Sequence, residues 1–480
     1  MGAVFVGAPM PTHSWKAEPP VAFSISLRGK ANLIAGTGSF ELPFITLSRS
    51  KYGTSDAWQF RGLVSSDTAA EIADVLRLSW KQGDLRITGR TDSGEAFNIA
   101  DASYLGFSGR ELHLDVDTID FGESLFDWTP DTQVMSVHLT PTALIHRRPA
   151  EKERSHRYYY TEQEPFTWQS SIGTHEIVLV EQSERVSVEG SLSTVEIPSV
   201  IAYSTVLNPS REPPVLCDRI QSELRPLLGV LSLLSRKRVD CSRITVDSRD
   251  LNAKPGRAAD FDRWVRTPGG AGRSPPQYTL ANSFALERGD IDRMATRLAA
   301  HPGSKHLLLA INFLPGLYGS AFFEARILAA FTALEAVVAS IPTQSDPDEE
   351  SSYELLRLLR IDLTRHSAGK PASAVERAER TLETLTRKPI AKRVAALSAE
   401  FGVKTVDLWL PSLGVETGVS QAFRYRNAIV HRGEILDATA AWIAALRVRA
   451  LAERLVYAIL GGDPSKLYPR ADDHLRQLPQ

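Results

Sequence analysis

The chain has 480 residues, 43% hydrophobic and 23% charged, with a formal net charge of −2. That length exceeds one ordinary core and predicts two or three domains, while the charge balance excludes a chain-wide attraction for nucleic acid, so any basic footprint is local. The two cysteines, Cys217 and Cys241, form no metal-ligand pattern and no disulfide scaffold. The amino-terminal run MGAVFVGAPMPTHSW lacks a basic n-region, and Gly2 lacks the hydroxyl residue at position 6 that myristoylation needs. No stretch reaches the ~18 apolar residues of a membrane span, so a cytoplasmic protein with no membrane partner is expected.

The first part of the chain, residues 1–207, reads as a β-rich sandwich or barrel. Short alternating segments recur between turn residues at Val21–Leu27, Ala57–Val64, Asp84–Thr88, Glu111–Val116, Gln133–Leu139, Glu176–Val180, Arg185–Val188 and Ser199–Val206. One helix interrupts them: Thr68 and Glu71 suit a capping box, and Ile72, Val75, Leu76 and Trp80 supply its apolar face. The run HRRPAEKERSHR, 146–157, reads as a solvated loop.

From Pro213 the apolar period becomes helical, with Cys217, Ile220, Leu224, Leu227, Leu228 and Leu231 on one face. The stretch Asp250–Gln277 reads as a Gly/Pro/Arg-rich linker whose Arg257, Arg263, Arg266 and Arg273 are candidates for holding a polyanion. Residues 208–282 are therefore taken as a connecting region, and 283–480 as an all-helical domain. Its predicted helices are Ile291–Ala300, Ser304–Phe313, Ser320–Ile341, Tyr353–Arg365, Ala372–Leu385, Ile390–Phe401, Gly418–Arg432 and Ala438–Leu460, with an acidic break at SDPDEESS, 345–352. The fold class expected is α+β, a β-rich half followed by a helical bundle.

The chemistry-bearing residues lie on one of these helices. Arg426, Asn427 and His431 form an RNxxxH string. Histidine moves protons near neutral pH, and arginine stays charged and matches phosphate geometry. At ~100° per residue Arg424, Asn427 and His431 share one stripe, whereas Arg426 and His431 diverge by ~140°. Glu335, among the apolar residues of the segment AFFEARILAAFTALEAVVASI (321–341), needs a cationic or hydrogen-bonding partner if it is buried. Two arrangements stay open: Arg426 serves His431 of a second chain, or Arg426 is partly structural and pairs with Glu335. A local basic excess, 11 Lys and Arg against 6 Asp and Glu in 353–404, is a second candidate RNA footprint, with His366 in it. No HxH or paired-Asp metal motif stands out, so no cofactor is expected.

The RNxxxH string is one version of the R-x4-6-H signature of the HEPN superfamily. Together with the ALE-type helix around Glu335 and a final amphipathic helix, it resembles the Apea-like branch over roughly residues 283–465. The resemblance implies a metal-independent endoribonuclease with RNA as its partner. It further implies a homodimer or higher homo-oligomer that brings two RNxxxH helices together, and a toxin-like role in anti-phage defence by abortive infection. Arg426, Asn427 and His431 would be its catalytic residues, with Arg424 and Glu335 auxiliary. The β-rich half would sense a phage-derived trigger. The alternative is a catalytically silent HEPN module for dimerisation or RNA binding, joined to a ligand-sensing β domain.

Overall fold

A computed structural model of the chain describes residues 27–35, 38–49, 58–64, 69, 72, 85–92, 94–139, 166–169, 171–188, 191–253, 255–265, 279–281, 286–315, 322–341, 347–366, 370–371, 373–375, 377–378, 390–409, 413–435, 437–467, 472 and 475. Two compact units divide it: Met1–Leu139, Leu179–Cys217 and Cys241–Pro268 form the first, and Thr140–Val178, Asp218–Asp240 and Gly269–Gln480 the second. The protein is thus α+β, a large antiparallel sheet in its first half and helices in its second.

The first unit is built on strands β1 (Leu27–Ala35), β2 (Gly38–Arg49), β3 (Trp58–Leu63), β4 (Leu85–Thr91), β5 (Ala96–Ser108) and β6 (Glu111–Phe121). They pair antiparallel in the order β3-β2-β1-β4-β5-β6, and a further β3–β6 pairing closes the ring into a six-stranded barrel. Closure removes the exposed edges that an open sheet would present. Along β6 the inward side chains Leu112, Leu114 and Val116 alternate with Glu111, His113 and Asp115, and they join Leu33, Leu42, Phe60, Ile87 and Ile99 in one core. Helical Ile72 is fully buried in that core; most of the helix expected at 68–80 lies outside the described residues.

Beyond β6 the sheet continues through β12 (Arg257–Val265), β11 (Cys241–Asp250), β7 (Thr132–Leu139), β10 (Ser191–Thr205) and β9 (Thr174–Val188). The two short strands expected at Glu176–Val180 and Arg185–Val188 are a single strand, β9. The hairpin β11–β12 corrects the reading of the Asp250–Gln277 stretch as linker. Arg263 is buried opposite Asp120 of β6 and forks onto it at 2.7 and 3.0 Å, so it is a structural charge and not a polyanion ligand. Arg257 lies 3.6 Å from Asp127 at the surface; Arg266, Arg273 and the run 146–157 fall outside the described residues.

The second unit contains β8 (Phe166–Gln169) and helices α1 (Pro213–Ser235, its body from Asp218), α2 (Arg288–Ala300), α3 (Ser304–Phe313), α4 (Phe323–Ser340), α5 (Pro347–His366), α6 (Ile390–Glu400), α7 (Gly414–Arg432) and α8 (Ala438–Ile459). Residues 373–375 and 377–378 are helical within the expected helix at Ala372–Leu385. The acidic break at 345–352 is instead largely the start of α5. Proline suits the first helical position and carboxylates suit a helix N-terminus, so the part of this run from Pro347 opens a helix. No described helix is long and apolar enough to cross a membrane.

Helix α8 is buried on every side from Ile443 to Tyr457, including Arg447, Arg449, Glu453 and Arg454. Buried charges are tolerated only when paired. Arg454 grips Asp407 with both nitrogens at 2.8 and 2.9 Å and reaches Asp472 at 3.0 Å. Arg236, just past α1, meets Glu453 at 2.6 Å and Asp472 at 2.8 Å, and Arg449 lies 3.4 Å from Glu453. Arg236 adopts φ 55°, a left-handed conformation that a non-glycine residue holds only under strong tertiary constraint. Burial alone would raise the Asp472 carboxyl, but Arg236, Arg454 and Arg449 outweigh it and bring it down to about 2.

This depressed value fixes a sign. Stabilisation by Asp472 is complete above its unfolded value of 3.8 and is lost as pH falls through about 2. The unfolding free energy, read by urea titration with far-UV circular dichroism, should therefore fall between those limits. Asp472→Asn should cost about 3 kcal/mol at neutral pH and flatten that acid slope, because three buried arginines then share too few carboxylates.

Candidate functional site

Helix α7 carries the RNxxxH string, and its two ends explain its position. It begins at Gly414, four residues before the expected start at Gly418. Gly418 is inside the helix because Trp409 lies against it: a Cβ there would sit 2.5 Å from the indole ring. A glycine at that point allows the close approach. At the other end Gly433, at φ 67°, stops the helix directly after His431 and Arg432; its N–H donates to the Ile429 carbonyl at 3.0 Å, and the Glu434 N–H donates to that of Ala428 at 3.3 Å.

The inward face of α7 is Gly418, Val419, Ala422, Phe423, Ala428 and Ile429, which pack toward α4, α6 and α8. Phe423 meets Phe331 of α4 edge to face, with ring centroids 5.0 Å apart. That packing fixes the rotation of the helix. Arg424, Asn427 and His431 all point outward and are exposed, along with Ser420, Gln421 and Val430.

Arg426 lies between the two faces. Its guanidinium is 3.0 Å from Glu335 on α4, and it also donates to the Asn427 side-chain oxygen at 3.3 Å. Both members of the ion pair keep solvent contact, with 25% and 36% of their side chains exposed, so the pair contributes about 1 kcal/mol or less. The structure thus brings together Arg426, Glu335 and Asn427. It sets Arg424, Asn427 and His431 along one outward stripe, and among the described hydrogen bonds and ion pairs none joins Arg426 to His431. Of the second candidate footprint, His366 is exposed at the end of α5, whereas Arg393 donates to the Val338 carbonyl at 2.9 Å and is structural.

The residues that place α7 were not found by sequence reasoning. Asp407, held by Arg454, anchors the loop that carries Trp409, and Trp409 seats Gly418. A glycine inside a helical pattern was the available signal, since it marks close approach by a neighbour. Among the described residues no group of three or more His, Cys, Asp or Glu side chains is placed to hold a metal ion. Comparison with protein-family models, curated proteins and solved structures gives no match to this chain.

The Trp409–Gly418 contact is testable by its dependence on both partners. Gly418→Ala should destabilise the chain by about 1–3 kcal/mol in thermal or urea unfolding, through overpacking against the ring. In a Trp409→Ala background the same change should be neutral or stabilising by up to ~1 kcal/mol, because alanine is the better helix former once the space is empty.

Proposed function

We propose that α7 carries a metal-independent endoribonuclease site of the HEPN type, and that the chain acts inside the cell in abortive anti-phage defence. The observation that supports it most is the outward stripe of Arg424, Asn427 and His431, a cation, an amide and a proton-transfer group one helical turn apart on a face open to a substrate. In the reaction the ribose 2′-oxygen attacks the adjacent phosphorus and the bond to the 5′-oxygen breaks. One imidazole takes the 2′-OH proton and another group returns a proton to the leaving 5′-oxygen, leaving a 2′,3′-cyclic phosphate and a 5′-OH. His431 of each of two associated chains supplies one of these transfers. Arg424 neutralises charge growing on the phosphate, and Asn427 orients phosphate or imidazole.

Arg426, the first choice from the string, is assigned a different task by its partner. Engaged by Glu335 and bonded to Asn427, it is a positioning residue that holds the amide of Asn427 in the stripe. The same ion pair favours a second reading, a silent RNA-binding or dimerisation module, because an arginine neutralised by a carboxylate has less charge to offer a phosphate. The barrel-containing unit would then sense a phage-derived trigger in either case.

His431→Ala should abolish cleavage of single-stranded RNA and any growth toxicity while leaving the circular dichroism spectrum unchanged. Arg424→Ala should lower kcat by roughly 10²-fold, in the range of one lost charge-stabilising group. Glu335→Gln should lower kcat with little change in KM if Arg426 positions Asn427; a raised KM would assign Arg426 to substrate binding. EDTA should leave the rate unaltered, since the nucleophile is the substrate's own hydroxyl. A wild-type chain that binds RNA and never cleaves it, with or without phage infection, establishes the second reading.

A further inference from the structure

The outward stripe of α7 runs on past the groups assigned to the reaction. Thr417, Ser420, Arg424, Asn427 and His431 are all exposed and follow one another at spacings of three, four, three and four residues. At ~100° per residue the five fall within an arc of ~80°, so they form one line along the helix. From Thr417 to His431, at ~1.5 Å per residue, that line is about 21 Å long. A hydrogen bond to phosphate reaches only ~3 Å, so the far end of the line lies well beyond the phosphate that His431 meets.

The chemistry of the line suits a nucleic-acid backbone. Thr and Ser hydroxyls, the Asn amide and the Arg guanidinium are side chains that hydrogen-bond phosphate and sugar, and none of the five residues carries negative charge. Glu416, exposed in the first turn and ~60° from His431 around the axis, sets the end of the line, since its carboxylate repels a further phosphate. A stacked strand rises ~3.4 Å per nucleotide, so about 21 Å corresponds to roughly six nucleotides, and to fewer of an extended strand. A helix edge of this kind suits a single strand, because the deep, narrow major groove of an RNA duplex keeps side chains out.

We infer that the line from Thr417 to His431 is an extended subsite for the sugar–phosphate backbone of single-stranded RNA, in which Ser420 and Thr417 hold phosphates beyond the one at His431. The preferred ligand is then an oligonucleotide of about four or more nucleotides, not a dinucleotide. The inference rests on the RNA reading of α7 but not on cleavage, since a silent RNA-binding module uses the same line.

Fluorescence anisotropy with the full chain tests binding apart from cutting. The probes are 2′-O-methyl oligouridylates of two, four and six nucleotides, whose blocked 2′-oxygen cannot attack. Wild type should bind the hexanucleotide roughly thirtyfold more tightly than the dinucleotide, beyond the gain that its extra registers give by counting. Thr417→Ala with Ser420→Ala should cut that ratio about tenfold, and Ser420→Asp should cut it at least as far by repulsion. Both side chains face solvent, so the melting curve and the sedimentation coefficient should stay as in wild type. Length-dependent binding without any cutting of plain RNA keeps the subsite and overturns cleavage. Equal cutting of dinucleotide and hexanucleotide, per register, keeps cleavage and overturns the subsite. The subsite is also overturned by a binding ratio that the variants leave unaltered, or by variants that lower the mass of the assembly, which makes the line a seam between proteins. A chain that binds none of the probes overturns both.

Discussion

The helical unit depends on how the charges buried on α8 are matched. Among the described residues Arg236, Arg449 and Arg454 meet Glu453, Asp472 and Asp407, and the alternative, a charge left alone in the core, costs several kcal/mol per group. The cluster does more than neutralise. Through Arg236 it ties the end of α1 to α8, and through Asp472 it ties in the region after α8. Through the Arg454–Asp407 fork it holds the stretch after α6 that carries Trp409. Trp409 in that loop seats Gly418, so the start of α7 is set by an ion pair made on another helix.

Once its start and its apolar face are fixed, α7 has one rotational phase. Phe423 points into the unit against Phe331, and three to four residues on either side of Asn427 the chain returns to solvent at Arg424 and His431. Arg426 falls between, where Glu335 can reach it. The roles proposed for the two arginines rest on geometry within one helix: two residues, about half a turn, separate an exposed guanidinium from one engaged by a carboxylate.

Much of this was legible in the sequence where signals are local. The bounds of α3 were read without error, and those of α8 to within one residue, because helical apolar periodicity and capping residues act over a few positions. The pairing of Glu335 with Arg426 stood as one of two arrangements on the grounds that a carboxylate among apolar residues needs a cation. The strands were harder. In β5 register shifts around Asp101 and between Tyr104 and Gly106 break the period-two alternation, β2 contains Pro43, and β12 turns Arg263 inward toward Asp120. A charged residue at a buried strand position looks like a loop until its partner is known. The α8 cluster was illegible for the same reason at longer range, since Arg236 finds its partners 217 and 236 residues away. For α5 the sequence places a helix at Tyr353–Arg365, but only the fold shows that Leu355, Leu358 and Leu359 stay exposed.

The central claim, that the outward stripe of α7 cleaves RNA with the substrate's own 2′-hydroxyl, is tested most directly by the chemistry of the product ends. The measurement is mass spectrometry of fragments released from a defined single-stranded RNA, alongside the same strand carrying one 2′-deoxyribose at the principal cleavage position. Transesterification requires a 2′,3′-cyclic phosphate and a 5′-OH, and no cut at the deoxy position. Fragments bearing 5′-phosphates, or undiminished cutting at the deoxyribose, would contradict it.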